Sequence, residues 1–396
     1  MSPDSRYHVT RTDQIIPSTA DAALAGTYTT TSTYDGLARP TSITYPAVGG
    51  LGSETVTTGY NGAFETTLSS PLGTYVASTG YTTIGQVASQ VLGVSGATGS
   101  VARSFGYETA TGRLLTQAAA TPSTATTANV QVDGYTYTPT GDISKTTDQL
   151  AGQQQCYTYD TLDRLVAAAT SASSSATGSG CTADSTGPSP YSDSYAYDAD
   201  GNITSMVHNG STTTFGYGTN TAQSVTGGIH APTSATASGS TSTYSYDADG
   251  QLTTKVAAGV TSSYTWDPQG RLTAATIGGT TSTFAYGPDG ARWVRASPTE
   301  TVVYLAGQEL HLAAGTSTPT VIRSYSSNGS TVAVRKTGAT GAGLYWMLGD
   351  QQGSASVAVN AADGTWTRDR YLPYGGNRAT TATGTTAADL GNRVWI

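Results

Sequence analysis

The chain has 396 residues, enough for one large domain or two to three ordinary ones. Only 11% of residues are charged and 37% hydrophobic, with 48 Gly, 25 Tyr and a visible excess of Thr, Ser and Ala. That balance excludes a helical protein, which needs Leu, Glu, Lys and Arg, and it carries too many aromatics for a disordered chain. Lys plus Arg is 18 and Asp plus Glu is 26, a formal net charge of −8, which argues against nucleic acid or an anionic membrane as partner. Tyr, Thr and Val favour strands and Gly favours turns, so the composition predicts an all-β protein.

In chain order, Met1 to Ala20 mixes Asp4, Arg6, Arg11 and Asp13 with a short Ile15-Ile16 pair. It lacks the apolar core of a signal peptide, and no window resembles a transmembrane segment of about 18 apolar residues. Either export is signalled elsewhere or the chain is a piece of a longer one. Weak hairpin signals follow at Tyr34-Asp-Gly-Leu-Ala-Arg39, Tyr81 to Val87 and Tyr107 to Leu114.

From Tyr135 onward the signal is a repeat. Tyr135 and Tyr137, Tyr157 and Tyr159, Tyr195 and Tyr197, Tyr244 and Tyr246, Tyr264 and Trp266, and Phe284 and Tyr286 are aromatic pairs at i and i+2. Such pairs share one face of a strand. Asp160, Asp198, Asp247 and Asp267 follow directly, and Gly141, Gly201, Gly250, Gly270 and Gly290 stand four positions after the second aromatic. Asp caps a turn through its side chain, and Gly accepts positive φ. An apolar residue then opens a second strand, as at Ile203, Leu252 and Leu272. The unit is a β-hairpin, recurring every 20 residues from Tyr246 to Trp266 to Tyr286. One hairpin cannot bury a face alone, so the repeat predicts stacked hairpins in a quasi-linear β array. These Tyr, Asp and Gly residues are expected to be packing and turn residues.

Cys156 and Cys181 flank a Ser/Thr/Ala/Gly stretch, Thr170 to Gly180. A disulfide there would pin the insertion; the alternative is two buried thiols in a reducing compartment. Two cysteines without CxxC spacing do not make a metal site. The stretches Ser171 to Pro190 and Ala231 to Thr243 are poor in apolar residues and read as surface loops.

The search for chemistry finds no catalytic, cofactor-binding or metal-binding constellation. His8, His208, His230 and His311 are widely spaced and form no H-E-x-x-H pattern. No G-x-S-x-G or P-loop is present. His311, after Glu309, lies in an alternating stretch from Val302 to Leu312 and reads as a sheet histidine. Asn202-Ile-Thr, Asn209-Gly-Ser and Asn328-Gly-Ser fit the glycosylation pattern, which matters only in a eukaryotic secretory setting.

Tyr197-Asp-Ala-Asp-Gly-Asn-Ile203, Tyr246-Asp-Ala-Asp-Gly-Gln-Leu252 and Trp266-Asp-Pro-Gln-Gly-Arg-Leu272 resemble the YD repeat of the RHS family. The likeness runs from about Tyr34 to Arg378. Gln155-Cys156 to Gly187-Pro-Ser-Pro-Tyr191 resembles a Cys-containing insertion of some bacterial members. Asp350-Gln-Gln-Gly353-Ser-Ala-Ser356 and Tyr371-Leu-Pro373-Tyr-Gly375 resemble the D-H-L-G-S-V-R and Y-D-P-F-G segments of the RHS-associated core. Gln351, Gln352 and Leu372 depart from that pattern. The resemblance implies a β-sheet that spirals into a hollow shell. In bacterial toxins the shell encloses a C-terminal toxin segment; in teneurin-like animal proteins it belongs to a cell-surface adhesion molecule. Many toxin members also cleave themselves after the core at a D-P-x-G-L motif. This chain has no such motif after Gly375, and Asp267-Pro-Gln-Gly270 lies inside a repeat.

The sequence is therefore read as all-β, with repeated YD hairpins forming a spiralling sheet or partial hollow shell, a β-propeller or sandwich being the alternative. Residues 1–33 form an N-terminal segment, 34–336 the hairpin array with a Cys-bridged loop at 156–181, 337–378 a core-like segment, and 379–396 a truncated tail. The expected role is non-catalytic and cofactor-free: a shell segment of a secreted or cell-surface protein. Its partners would be the rest of the shell or a toxin cargo encoded elsewhere. The alternative is a carbohydrate- or receptor-binding module using exposed aromatics.

Overall fold

A computed structural model describes residues 2–4, 7–18, 21–122, 127–172, 181, 183–218, 228–338 and 341–382. Among them no residue is helical, and the chain runs from strand to strand as the composition requires. It divides into two compact units, one formed by Met1–Gly134 with Val302–Ile396 and the other by Tyr135–Thr301.

In the second unit every strand from Ile143–Asp148 to Arg292–Ala296 pairs antiparallel with the next. This unbroken meander leaves no four-stranded propeller blades. The register separates two faces. Tyr244 sits opposite Lys255, and Tyr264 opposite Ala275. The other face is small and hydroxylic: Thr254 pairs with Ser263, Ser263 with Thr276, and Thr276 with Thr281. Hydroxyl pairs such as Thr236 with Thr241 (2.9 Å) and Thr276 with Thr281 (2.8 Å) cross the strands on that exposed side.

Two loop and strand expectations are corrected by the topology. Ala231 to Thr243 holds the strands Pro232–Ala237 and Ser240–Tyr246, joined by a turn at Ser238-Gly239. Its Thr/Ser/Ala alternation is a strand pattern in which small hydroxylic residues replace apolar ones, so hydrophobicity alone misses it. Val302 to Leu312 is not one strand: Glu300–Leu305 and Gln308–Ala313 are separated at Gly307.

In the first unit, strands pair consecutively from Ser2–Pro3 to Thr127–Tyr137 and again from Gln308–Ala313 to Asn377–Ala382. The two runs share one apolar core. Val56, Leu68, Val76, Leu92 and Val101 from the early run pack with Val332, Trp346, Leu348, Val357 and Val359 from the late run. Trp346 donates its indole N–H to the Gly99 carbonyl (2.6 Å), so its polar edge is satisfied within the core.

Candidate functional site

The repeat motif is the most chemically organised feature of the chain, and each of its positions has a defined task. Asp267 shows the turn. Its amide donates to the Arg271 carbonyl (2.9 Å), and the Gly270 amide donates back to the Asp267 carbonyl (2.9 Å). Its carboxylate Oδ1 accepts from the Gln269 and Arg271 amides, both at 2.9 Å. Gly270 sits at φ +75°, where a Cβ is disfavoured. The register slips between Thr265 and Trp266, a bulge that absorbs the odd turn residue.

The same arrangement recurs at Asp35, Asp160, Asp198, Asp247 and Asp350, each of which accepts from the amides at i+2 and i+4. Gly201 and Gly250 close their turns at φ +89° and +82°. Gly290 does so at +80°, in a turn where Gly287 replaces Asp.

The aromatic that precedes the turn is a latch. The Tyr246 hydroxyl donates to the Pro232 carbonyl (2.8 Å), the Trp266 indole to Leu252 (2.8 Å) and the Tyr286 hydroxyl to Leu272 (2.8 Å). Earlier in the chain Tyr159 donates to Ile143 (2.9 Å), and Tyr197 to Leu165 (2.7 Å). In three repeats the residue at i+4 from Asp is Arg, and it joins one repeat to the next. Arg39, Arg164 and Arg271 pair with Asp35 (2.6 Å), Asp160 (2.7 Å) and Asp267 (2.7 Å). Each guanidinium then lies over the latch ring of the following repeat: Tyr60 at 4.3 Å, Tyr197 at 4.7 Å and Tyr286 at 5.0 Å.

This geometry makes the latch testable. Tyr246→Phe removes one hydroxyl and its bond to the Pro232 carbonyl, at a cost of about 1 kcal/mol in urea unfolding. Tyr244→Phe on the same strand removes no latch and is expected to cost less than about 0.5 kcal/mol. Equal losses in the two variants would show that the latch is energetically idle.

The turn carboxylates make a prediction about acid. Hydrogen bonds from the Arg39 and Arg164 side chains hold Asp35 and Asp160 below the ordinary carboxylate range. The Asn202 side chain does the same for Asp198, and the Arg271 backbone amide leads for Asp267. A depressed folded pKa means that the unfolded chain binds more protons as pH falls. The stabilisation is complete above the unfolded value, about 3.9, and is lost as pH drops through the lower folded values. Thermal unfolding should therefore stay level from pH 7 to about pH 5 and fall steeply below about pH 4. A flat Tm down to about pH 2.5 would contradict it.

The core-like residues occupy the same structures. Asp350 and Gly353 (φ +81°) form a turn of the repeat type. Pro373 and Gly375 lie in another, where the Leu372 amide donates to the Gly376 carbonyl (2.7 Å) and the Gly375 amide to the Leu372 carbonyl (2.9 Å). Leu372 stands at the Asp position, and the backbone bonds persist without a side-chain cap. Tyr371 latches onto the Ala355 carbonyl at 2.7 Å.

Cys156 and Cys181 form a disulfide, with Cα atoms 5.6 Å apart. The histidines are dispersed among local partners: His8 with Asp4 (3.0 Å), His208 with Asp193 (2.7 Å), His230 with Asn202 (2.7 Å) and His311 with Glu309 (3.0 Å). Among the described residues no group of three or more His, Cys, Asp or Glu side chains could hold a metal ion.

Sequence reasoning misses a buried polar clasp in the first unit. Glu54 and Arg323 are both fully buried and pair at 2.7 Å. Glu54 also accepts from Ser70 (2.6 Å), Tyr325 (2.8 Å) and the Tyr75 hydroxyl. Arg323 donates to the Gln308 side chain (2.8 Å) and the Pro46 carbonyl (2.9 Å). The Tyr75 and Tyr325 rings stack at 3.8 Å. Burial alone would push the Glu54 carboxyl up, but these hydrogen bonds hold it below its ordinary value. Burial pushes the Tyr45 phenol, beside Arg323, up to about 12. A second buried pair joins Arg368 to Asp133 at 2.5 Å.

No family model and no curated protein matches the sequence. Solved structures do match in fold. The chain aligns with the crystal structure of TcdB2-TccC3-Cdc42 over 96% of its length, at 18% identity and a TM-score of 0.73. It aligns with TcdB2-TccC3 over 96% of its length, at 18% identity and a TM-score of 0.72. The Photorhabdus luminescens Tc holotoxin pore aligns with 94% of the chain, at 18% identity and a TM-score of 0.69. The fold is the RHS/YD-repeat fold. The chain spans 20%, 21% and 19% of those three chains, about a fifth of each. In this chain Trp266-Asp267-Pro-Gln-Gly270-Arg271 is a latch, a turn and an inter-repeat clamp written consecutively, and Ala38 and Asp163 take the positive-φ position of Gly270 in the two other Arg-bearing turns.

Proposed function

We propose that this chain is a non-catalytic segment of a YD-repeat shell in a secreted or cell-surface protein, enclosing or presenting a C-terminal toxin or effector. The observation that carries the reading is the use of the motif side chains. Tyr, Asp, Gly and Arg of successive repeats are engaged in holding one hairpin to the next, and the fold aligns with structures of Tc toxin components. In this reading residues 34–336 are the wall, 337–378 the closing core-like segment, and the partner is the remaining shell with its cargo. The same observation weighs against sugar stacking at Tyr60, Tyr197 and Tyr286, because each of these half-buried rings already carries an arginine over its face. Among the described residues no helix is long and apolar enough to cross a membrane.

The test is to read the genomic sequence on both sides of this frame and express the extended product. Further repeats upstream, a cleavage motif downstream, and a downstream segment protected from added protease are expected. A stop codon directly after Ile396 with no upstream repeats would refute the enclosing role.

A further inference from the structure

The first unit contains a cavity of about 440 Å³ whose lining includes two charged groups, Arg103 and Asp350. Its other walls include Val332, Val334, Met347 and Leu348. A buried or half-buried charge without a counter-ion is costly, so such groups are normally paired. Here neither is. The guanidinium of Arg103 donates to the Gln90 side chain (3.2 Å) and lies over the Phe105 ring (4.9 Å), and among the described residues no carboxylate stands within ion-pair distance. Its register neighbours, Gln90 and Ala119, bring no charge to it. Burial pulls its pKa down to about 10, which marks a cation lacking compensation.

Asp350 is the complementary case. Its Oδ1 caps the turn, as in every YD turn of this kind. In the turns of Asp35, Asp160 and Asp267 an arginine at i+4 covers the second oxygen; at Asp350 that position is Ser354, whose side chain hydrogen-bonds the carboxylate but brings no charge to it. Burial raises the Asp350 carboxyl above its ordinary value, with nearby Asp133 adding to the effect. Asp133 is itself neutralised by Arg368, so that arginine is already engaged.

We propose that this cavity binds a small zwitterion: an α-amino acid, or a short peptide with free ends, bearing an apolar side chain. Its carboxylate would meet Arg103, its ammonium Asp350, and its side chain the Val332–Val334–Met347–Leu348 wall. The volume is within the range of small-molecule sites, and a guanidinium is the group best suited to a carboxylate. This site is independent of the shell reading, because it rests on residues that the latches do not use.

The experiment is calorimetric titration of the full chain with leucine, 4-methylpentanoate (the same body without the ammonium), 3-methylbutylamine (without the carboxylate) and Leu-Leu. Leucine or Leu-Leu is expected to bind about tenfold or more tighter than either single-ended analogue. Which of the two binds distinguishes a free amino acid from a peptide. Arg103→Gln should weaken the zwitterion and 4-methylpentanoate alike. Asp350→Asn keeps the turn-capping oxygen; it should weaken the zwitterion and leave 4-methylpentanoate unchanged. The proposal is overturned if neither zwitterion binds at about 10 mM, a weak-affinity ceiling. It is also overturned if 4-methylpentanoate binds as tightly as leucine, or if Asp350→Asn has no effect.

Discussion

Arg323→Met is expected to destabilise the chain by about 3–5 kcal/mol, a large share of the stability of an ordinary domain. The loss does not measure an attraction given up. The variant leaves the Glu54 carboxylate at zero exposure with only Ser70, Tyr75 and Tyr325 to satisfy it. Combining Arg323→Met with Glu54→Gln removes the stranded charge and should recover a substantial part of the loss, because a buried pair is worth little more than an apolar replacement. Urea unfolding followed by tryptophan fluorescence reports directly, since Trp346 is in the same core. The pH dependence gives a second check. With the guanidinium gone, burial dominates and the Glu54 folded pKa rises above its unfolded value. The folded state then binds the extra proton, so the variant should be least impaired at low pH and lose stability as pH rises through the raised pKa. A single-variant loss below about 1 kcal/mol, as for an exposed pair, would mean that water reaches the clasp.

The contrast between the clasp and the repeat shows what one sequence can carry. The hairpins are legible because every determinant is local: latch, cap and glycine fall within five residues, from Tyr246 to Gly250, and the pattern recurs. The receiving carbonyl is only 14 residues away, yet the direction of the latch is not legible, because main-chain carbonyls leave no trace in residue identity. Tyr60 and Tyr217 latch as well, but no Asp follows them to mark the turn. The clasp is worse placed still. Glu54 and Arg323 are 269 positions apart, and each sits in a strand whose composition resembles its neighbours. Only the packing of the early and late strand runs onto one core brings them together. The cavity charges are hidden for the same reason, Asp350 by its resemblance to other turn acids and Arg103 by its place in an ordinary alternating strand.

Reduction of the Cys156–Cys181 disulfide should lower the unfolding free energy by about 3 kcal/mol, because it releases a closed loop in the unfolded chain. The sequence separation is 25, which places the bond in the range where loop entropy is substantial. The folded side of the balance should change little, because the segment after Cys181 is docked by other bonds. The Thr170 carbonyl accepts from the Ser185 amide (2.8 Å), and the Thr170 amide donates to the Tyr191 carbonyl (3.0 Å). The Tyr191 hydroxyl donates to the Gln155 side chain at 2.9 Å, and the Gln153 side-chain amide reaches the Pro188 carbonyl. These contacts tie the returning segment to the strand Leu165–Ala172 and to its neighbour Gln153–Tyr159, which carries Cys156. The disulfide therefore acts chiefly on the unfolded ensemble. Two observables separate this from a native-state role. Urea curves with and without a phosphine reductant should differ in midpoint, with a steeper m-value for the reduced chain, whose unfolded state is more expanded. Amide exchange from Asp184 to Tyr191 should be nearly unchanged under native conditions, since the hydrogen bonds of this segment remain. Coincident urea curves would remove the entropic account, and rapid exchange of Tyr191 on reduction would show that the bond is needed to hold the loop in place.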